Sequence, residues 1–207
     1  MPKFVDIDER RAELAAAAAQ LIARSGLGAA TMRDVAAEAG WTTGALTHYF
    51  SDKRELLLFT FRSSLAQRHA ARDAREGLAP MDALVRSLEG ALPLDDERRR
   101  HWMVTVAFCA QAADDDELAG AQRDAYREFR DNIALLVREC SGASDDDASV
   151  RAEHLIALAD GIAVQALFDP AGWPAGRQMT RLHEAIEPLL VRTGWTSPPT
   201  RGSASPD

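Results

Sequence analysis

The sequence predicts an all-α protein of about nine helices. Three observations carry this prediction. Apolar residues recur at intervals of three and four, the period-two alternation of a strand is missing, and Gly, Pro and Ser-Gly signals punctuate the chain at helix lengths. The chain has 207 residues, of which 46% are hydrophobic and 27% charged. That is enough for one domain with a real core, or a small domain joined to a larger one.

Taken in order, helix 1 is predicted over 8–25, with Leu14, Ala18, Leu21 and Ile22 inward and Ser25-Gly26 stopping it. Helices 2 and 3, over 32–39 and 43–49, are short and joined by a tight turn. Helix 4 runs over 53–75 from Asp52-Lys53-Arg54-Glu55, which has the pattern of a capping box. Gly77 ends that region, and Pro80 opens helix 5, which reaches about 91. Beyond Pro93, Asp95-Asp96 can cap helix 6 over 96–112. The acidic run Asp114–Glu117 suits the start of helix 7, because carboxylates favour a helix N-terminus; Ser141-Gly142 ends it. Helix 8 is predicted over 146–168, and helix 9 from Pro174 to about 192. The tail from Thr196 has no apolar anchor and is predicted to be disordered.

Composition narrows the function classes. No apolar run approaches the roughly 18 residues that span a bilayer, and the Ala-rich start lacks the order of a secretory signal. The two cysteines, Cys109 and Cys140, offer neither a disulfide framework nor zinc spacing. A cytoplasmic protein with no metal, cofactor or membrane partner is expected. The net charge is −8, yet the first 75 residues carry a small excess of Lys and Arg, so the acid lies in the rest. Such asymmetry fits one part that faces a polyanion and another kept off it, although chance gives small imbalances too. The five histidines form no H-x-x-x-H or H-E-x-x-H spacing, and no nucleophile elbow or phosphate-binding glycine loop occurs, so an enzyme is not expected.

The stretch Thr31–Leu57 has the punctuation of a helix-turn-helix, which presents its second helix to the major groove. Thr31 and Asp34 form a cap-like pair, Val35 and Ala36 face inward, Gly40 supplies the turn, and Thr42 caps helix 3. Leu46 and Phe50 point to the small core. Thr43, Gly44, Ala45, Thr47, His48 and Tyr49 remain as exposed candidates for base and phosphate contact. Arg33 can reach a phosphate or base edge. Lys53 is a phosphate clamp by type and place, against the alternative of a solvated surface charge.

On these residues the segment resembles the N-terminal domain of the tetracycline-repressor (TetR) family. It supplies Thr31, Asp34-Val35-Ala36, Ala39-Gly40, Thr42, Gly44, His48-Tyr49-Phe50, Lys53 and Leu56-Leu57 of the family pattern. Thr47 stands where most members have tyrosine, and Trp41 replaces a smaller aliphatic. The resemblance implies a homodimer that reads a palindromic operator in double-stranded DNA and represses until a small-molecule effector binds. An effector-independent regulator controlled by abundance or a protein partner is the alternative. The chain then divides into a DNA-binding domain (1–52), an effector-binding and dimerisation domain (53–195) and a tail (196–207), with helix 4 carrying motion between the first two.

In the larger domain, helix 6 is apolar nearly all round, and helix 7 carries a stripe including Tyr126, Phe129 and Cys140. Phe59, Trp102, Val106, Cys109, Tyr126, Phe129 and Asp160 are candidates to wall an effector cavity, with plain core as the alternative for each. Asp160 lies in an apolar run, so it either bonds a neighbouring Arg or His or meets a cationic group. The stretch from Ala159 resembles, more loosely, the choline-responsive repressors of the betaine pathway. That resemblance implies a small quaternary ammonium ligand. The TetR resemblance implies dimerisation through helices 8 and 9, with Ala157, Leu182, Ile186, Leu189 and Leu190 as candidates and an intramolecular core as the alternative.

Overall fold

The computed structural model describes residues 7–73 and 77–191. The predicted disordered tail from Thr196 lies outside the described residues. Among these, nine α-helices and no strand are present: α1 (Ile7–Ala29), α2 (Met32–Glu38), α3 (Thr43–Thr47), α4 (Lys53–Asp73), α5 (Pro80–Glu89), α6 (Asp96–Ala112), α7 (Asp116–Ser141), α8 (Asp145–Phe168) and α9 (Ala175–Val191).

Local chemistry sets the boundaries. Thr31, Thr42, Asp95, Asp115 and Ser144 cap α2, α3, α6, α7 and α8 with side-chain oxygens that accept backbone N–H groups. At α4, Asp52 accepts from the Glu55 N–H at 2.8 Å, as a capping box predicts, but the Glu55 carboxylate returns to Ser51 at 2.9 Å. Helix 1 breaks at Gly26 (φ 77°), and a last short turn carries the chain to Ala29. That φ is cheap only for glycine.

Helix C-termini are closed from a distance by basic side chains. Lys53 Nζ donates to Leu27 O at 2.8 Å, and Arg98 donates to Glu89 O at 3.3 Å. Arg99 donates to Ala166 O and Leu167 O at 3.2 and 2.8 Å, and Arg151 to Leu190 O. Each cation meets the negative end of another helix and satisfies carbonyls with no partner in their own helix. Arg98 ties α6 back to its neighbour α5, and the other contacts lock helices that are far apart in sequence.

Two apolar cores result. The first joins α1–α4 to the later half of α6 and the start of α7, through Leu14, Val35, Leu46, Phe50, Phe61, Phe108 and Leu118. The second joins α5, Trp102, the later part of α7, α8 and α9. The first core therefore runs across the predicted 52/53 boundary. Phe61 of α4 and Phe108 of α6 stack face to face at 3.9 Å with 7° between their planes.

At one edge of this joint, Arg54 of α4 bonds Asp115 and also Glu117 at 2.7 Å. The Arg54 side chain holds the Asp115 carboxyl at a pKa of about 2, helped by the Leu118 N–H it caps. Because the folded value lies below the unfolded one, this pair stabilises the fold above about pH 4, and its contribution is lost as pH falls toward 2. Acid unfolding of Asp115→Asn should therefore differ from wild type at pH 5 and converge with it near pH 2. A constant difference across that window would show that the pair contributes nothing.

Candidate nucleic-acid interface

The short helix α3 owes its position to what lies beneath it. Leu46 and Phe50 are fully buried, and Phe50 meets Phe59 edge to face at 5.4 Å. The Arg11 guanidinium lies 4.6 Å from both of those rings and bonds Glu55 at 2.8 Å. The Ser51 backbone N–H, then the Ser51 hydroxyl and Arg11, keep the Glu55 carboxyl below its usual range. Gly40 turns the chain at φ 74°, between α2 and α3, a conformation that a side chain would strain. Arg24 clamps Glu38 through two bonds of 3.1 and 2.7 Å, fixing the end of α2 to α1.

Above this support Thr43, Gly44 and Thr47 are exposed on one short helix, and so is its C-cap residue His48. Thr47 donates its hydroxyl to Gly44 O at 3.0 Å, so a base approaching it meets its methyl group and a remaining acceptor. Tyr49 is half-buried. Its ring stands edge-on to Trp41 at 5.4 Å and to His48 at 5.6 Å, with Arg10 5.6 Å from the Trp41 ring. Tyr49 is thus a prop for His48 as well as a candidate contact, and the large Trp41 is what it leans on. Arg33 is open to solvent apart from a loose 3.7 Å approach to Asp34. The Thr31 and Thr42 hydroxyls serve their helix caps, Thr31 also donating to Asp34 at 2.5 Å.

The effector candidates separate into three groups. Phe59 packs in the first core beside Phe50. Trp102 is buried in the second core, where its indole N–H donates to Ala91 O at 2.6 Å. Phe129 packs at the margin of that same core. Tyr126, Asp160 and Cys109 come together: the Tyr126 hydroxyl donates to Asp160 Oδ2 at 2.7 Å, and burial and then the Asp160 charge push the Cys109 thiol up. Tyr126 is thus one partner of the Asp160 carboxylate. Val106 is exposed, one helical turn from Cys109. Both cysteines are free thiols.

The dimer candidates need a correction. Leu182, Ile186 and Leu190 are 0%, 3% and 7% exposed within a single protomer. They fill the second core, so they present no surface to a partner. Ala157 is exposed and Leu189 half-buried. The exposed apolar residues on these two helices include Phe168, at 78% exposure, and Val164 and Val191.

Comparison with known proteins agrees with this architecture. Residues 14–58 match the family described as bacterial regulatory proteins, tetR family, and residues 80–191 match the BetI-type transcriptional repressor C-terminal domain. The HTH-type transcriptional regulator PksA of Bacillus subtilis is 33% identical over 196 residues, covering 92% of this chain and 95% of PksA. The regulator BetI of Vibrio campbellii is 27% identical, covering 92% and 97%. A transcriptional regulator from Saccharomonospora viridis, solved in complex with choline, superposes with a TM-score of 0.80 at 27% identity, covering 87% of this chain and 96% of that one. No helix among the described residues is long and apolar enough to cross a membrane. A helix-turn-helix on a rigid apolar support, matched by both family patterns over most of the chain, places this protein in the TetR family of DNA-binding transcriptional regulators, with a BetI-type C-terminal domain.

Proposed function

We propose that the protein is a cytoplasmic, dimeric repressor that a small-molecule effector releases from a palindromic operator. The observation that carries the reading is the exposed set Thr43, Gly44 and Thr47 on α3 with its C-cap His48, held by a rigid apolar base. Thr43 and Thr47 meet base edges or thymine methyls. Tyr49, Lys53, Arg33 and the caps Thr31 and Thr42 lie toward the phosphates. Residues 1–52 read DNA, and the helices from Lys53 onward bind effector and dimerise. The dimer face is the outer side of α8 and α9, where Ala157 and Gly161 allow close approach and Val164, Phe168 and Val191 supply apolar area.

The effector meets the Cys109–Tyr126–Asp160 cluster. A cation is favoured there, because the Asp160 carboxylate and the Tyr126 ring lie together. Choline bound to the Saccharomonospora regulator supports the same ligand class. The first core transmits the event, since α4 and α6 share the Phe61–Phe108 stack. Two reading helices must sit about 34–36 Å apart to enter successive major grooves, so a shift of a few ångströms in α4 releases DNA.

Fluorescence anisotropy on DNA from the protein's own promoter region tests this directly. One dimer should bind a palindrome in preference to its half-site, and choline should weaken that binding by the same factor by which operator weakens choline binding. Failure to bind any palindrome there would sink the DNA role. Choline affinity unchanged by saturating operator would remove the release mechanism.

A further inference from the structure

We propose that Thr47 selects an A·T base pair in each half-site of the operator, its oxygen accepting from adenine and its methyl group packing on the thymine methyl. The proposal rests on the DNA reading above and names the base pair that one residue specifies.

Thr47 is exposed, and it lies one helical turn from the exposed Thr43 and Gly44 on the same face of α3. Its hydroxyl hydrogen is committed. The helix is short, and the His48 N–H, which a regular α-helix would give to Gly44 O, closes on Ala45 O at 3.3 Å. The Thr47 hydroxyl donates to Gly44 O at 3.0 Å, serving a carbonyl at the end of its helix. What Thr47 has left to offer is an acceptor lone pair and a methyl group. In the major groove, donors stand at adenine N6 and cytosine N4, and a methyl group stands only at thymine. An A·T pair is therefore the one pair that presents both a donor and a methyl group. A C·G pair would satisfy the oxygen and leave the Thr47 methyl against a bare ring edge. Gly44 supplies the room for this contact. A Cβ at Gly44 would meet nothing within 4 Å, and its backbone is helical. Neither crowding nor conformation inside the protein calls for a glycine there, where it weakens the helix relative to alanine. The opening beside Thr47 lets the helix backbone come close enough for a side chain as short as threonine to reach a base edge.

The test uses base analogues, which leave the protein's fold untouched, in a duplex from its own promoter region that the full chain binds. Each thymine of the half-sites is replaced in turn by deoxyuridine, which lacks only the methyl group. Each adenine is replaced by purine deoxyriboside, which lacks only the 6-amino group. Fluorescence anisotropy gives the affinity of the wild type, of Thr47→Ser, which keeps the oxygen and its bond to Gly44, and of Thr47→Val, which keeps the methyl shape. For the wild type, deoxyuridine at one thymine should weaken binding about fourfold per half-site, the worth of one buried methyl group. Purine deoxyriboside at the paired adenine should weaken it about fivefold per half-site, the worth of one hydrogen bond. Thr47→Ser should lose the response to deoxyuridine and keep the response to purine deoxyriboside, and Thr47→Val should do the reverse. Equal responses in the wild type and Thr47→Ser would assign the methyl contact to another residue and overturn the inference, with DNA binding intact. Sensitive thymine and adenine positions on different base pairs, or no sensitive thymine at all, would overturn it too. A wild-type protein that binds no duplex from that region would instead overturn the DNA reading itself.

Discussion

Phe108→Ala should destabilise the protein by about 3–5 kcal/mol, the range for removing a buried aromatic ring. For a chain of this size that corresponds to a fall of about 6–20 °C in Tm. Phe108 is 0% exposed and its partner Phe61 1%, so little room exists for water or for an easy collapse of the void. The stack is also a joint. Phe61 lies on α4, directly after the DNA-binding segment, and Phe108 lies on the same helix as Cys109 of the proposed effector site. Urea unfolding gives the magnitude, with Val106→Ala as the control on the exposed side of α6, expected within about 0.5 kcal/mol of wild type. A Phe108→Ala loss below about 1 kcal/mol would show that the two rings are not a tight contact and that α4 is not fastened to α6 there.

What could be read from the sequence was whatever one turn of chain decides. Thr31, Thr42 and Asp95 cap their helices as their positions predict, and Gly40 and Gly26 turn the chain where the pattern breaks. Leu14, Ile22, Val35, Leu46 and Phe50 are buried as the helical period requires. Periodicity says which face of a helix is covered but not what covers it. That is why Leu182, Ile186 and Leu190 were assigned to a partner when they belong to their own protomer's core. It is also why Trp102 and Phe59 were grouped into one cavity although they lie in different cores.

The contacts that the sequence hid are those made across long separations. The acidic run that holds Asp115 marks the start of α7, but nothing in either local pattern names Arg54 as the partner of Asp115. Arg11 lay in the apolar register of helix 1 with no visible reason. Its reason is the pair of rings, Phe50 and Phe59, and the Glu55 carboxylate. At the candidate effector site the acid of Asp160 was legible as a buried charge needing a partner, and the identity of that partner, Tyr126 on a neighbouring helix, was not.

Lys53→Ala should weaken operator binding about equally for all sequences and flatten its dependence on salt. Each neutralised phosphate contributes about 0.9 to the slope of log affinity against log salt, so two lysines per dimer remove about 1.8. If the curves converge near 1 M salt, the variant binds about 60-fold more weakly at 0.1 M. The structure gives Lys53 a first task, since its ammonium donates to Leu27 O at 2.8 Å. An ammonium has three donors, so two remain for a phosphate while the lysine ties α4 to the end of helix 1. The two tasks separate by experiment. A purely structural Lys53 would lower thermal stability and leave the salt slope unchanged, and that result would remove it from the DNA contacts. Thr43→Ala provides the contrast: loss of a base contact changes preference at one operator position by about 1–3 kcal/mol and leaves the salt slope as it is. If Lys53→Ala altered base preference and Thr43→Ala altered the slope, α3 would be docked on DNA in an orientation different from the one the exposed side chains define.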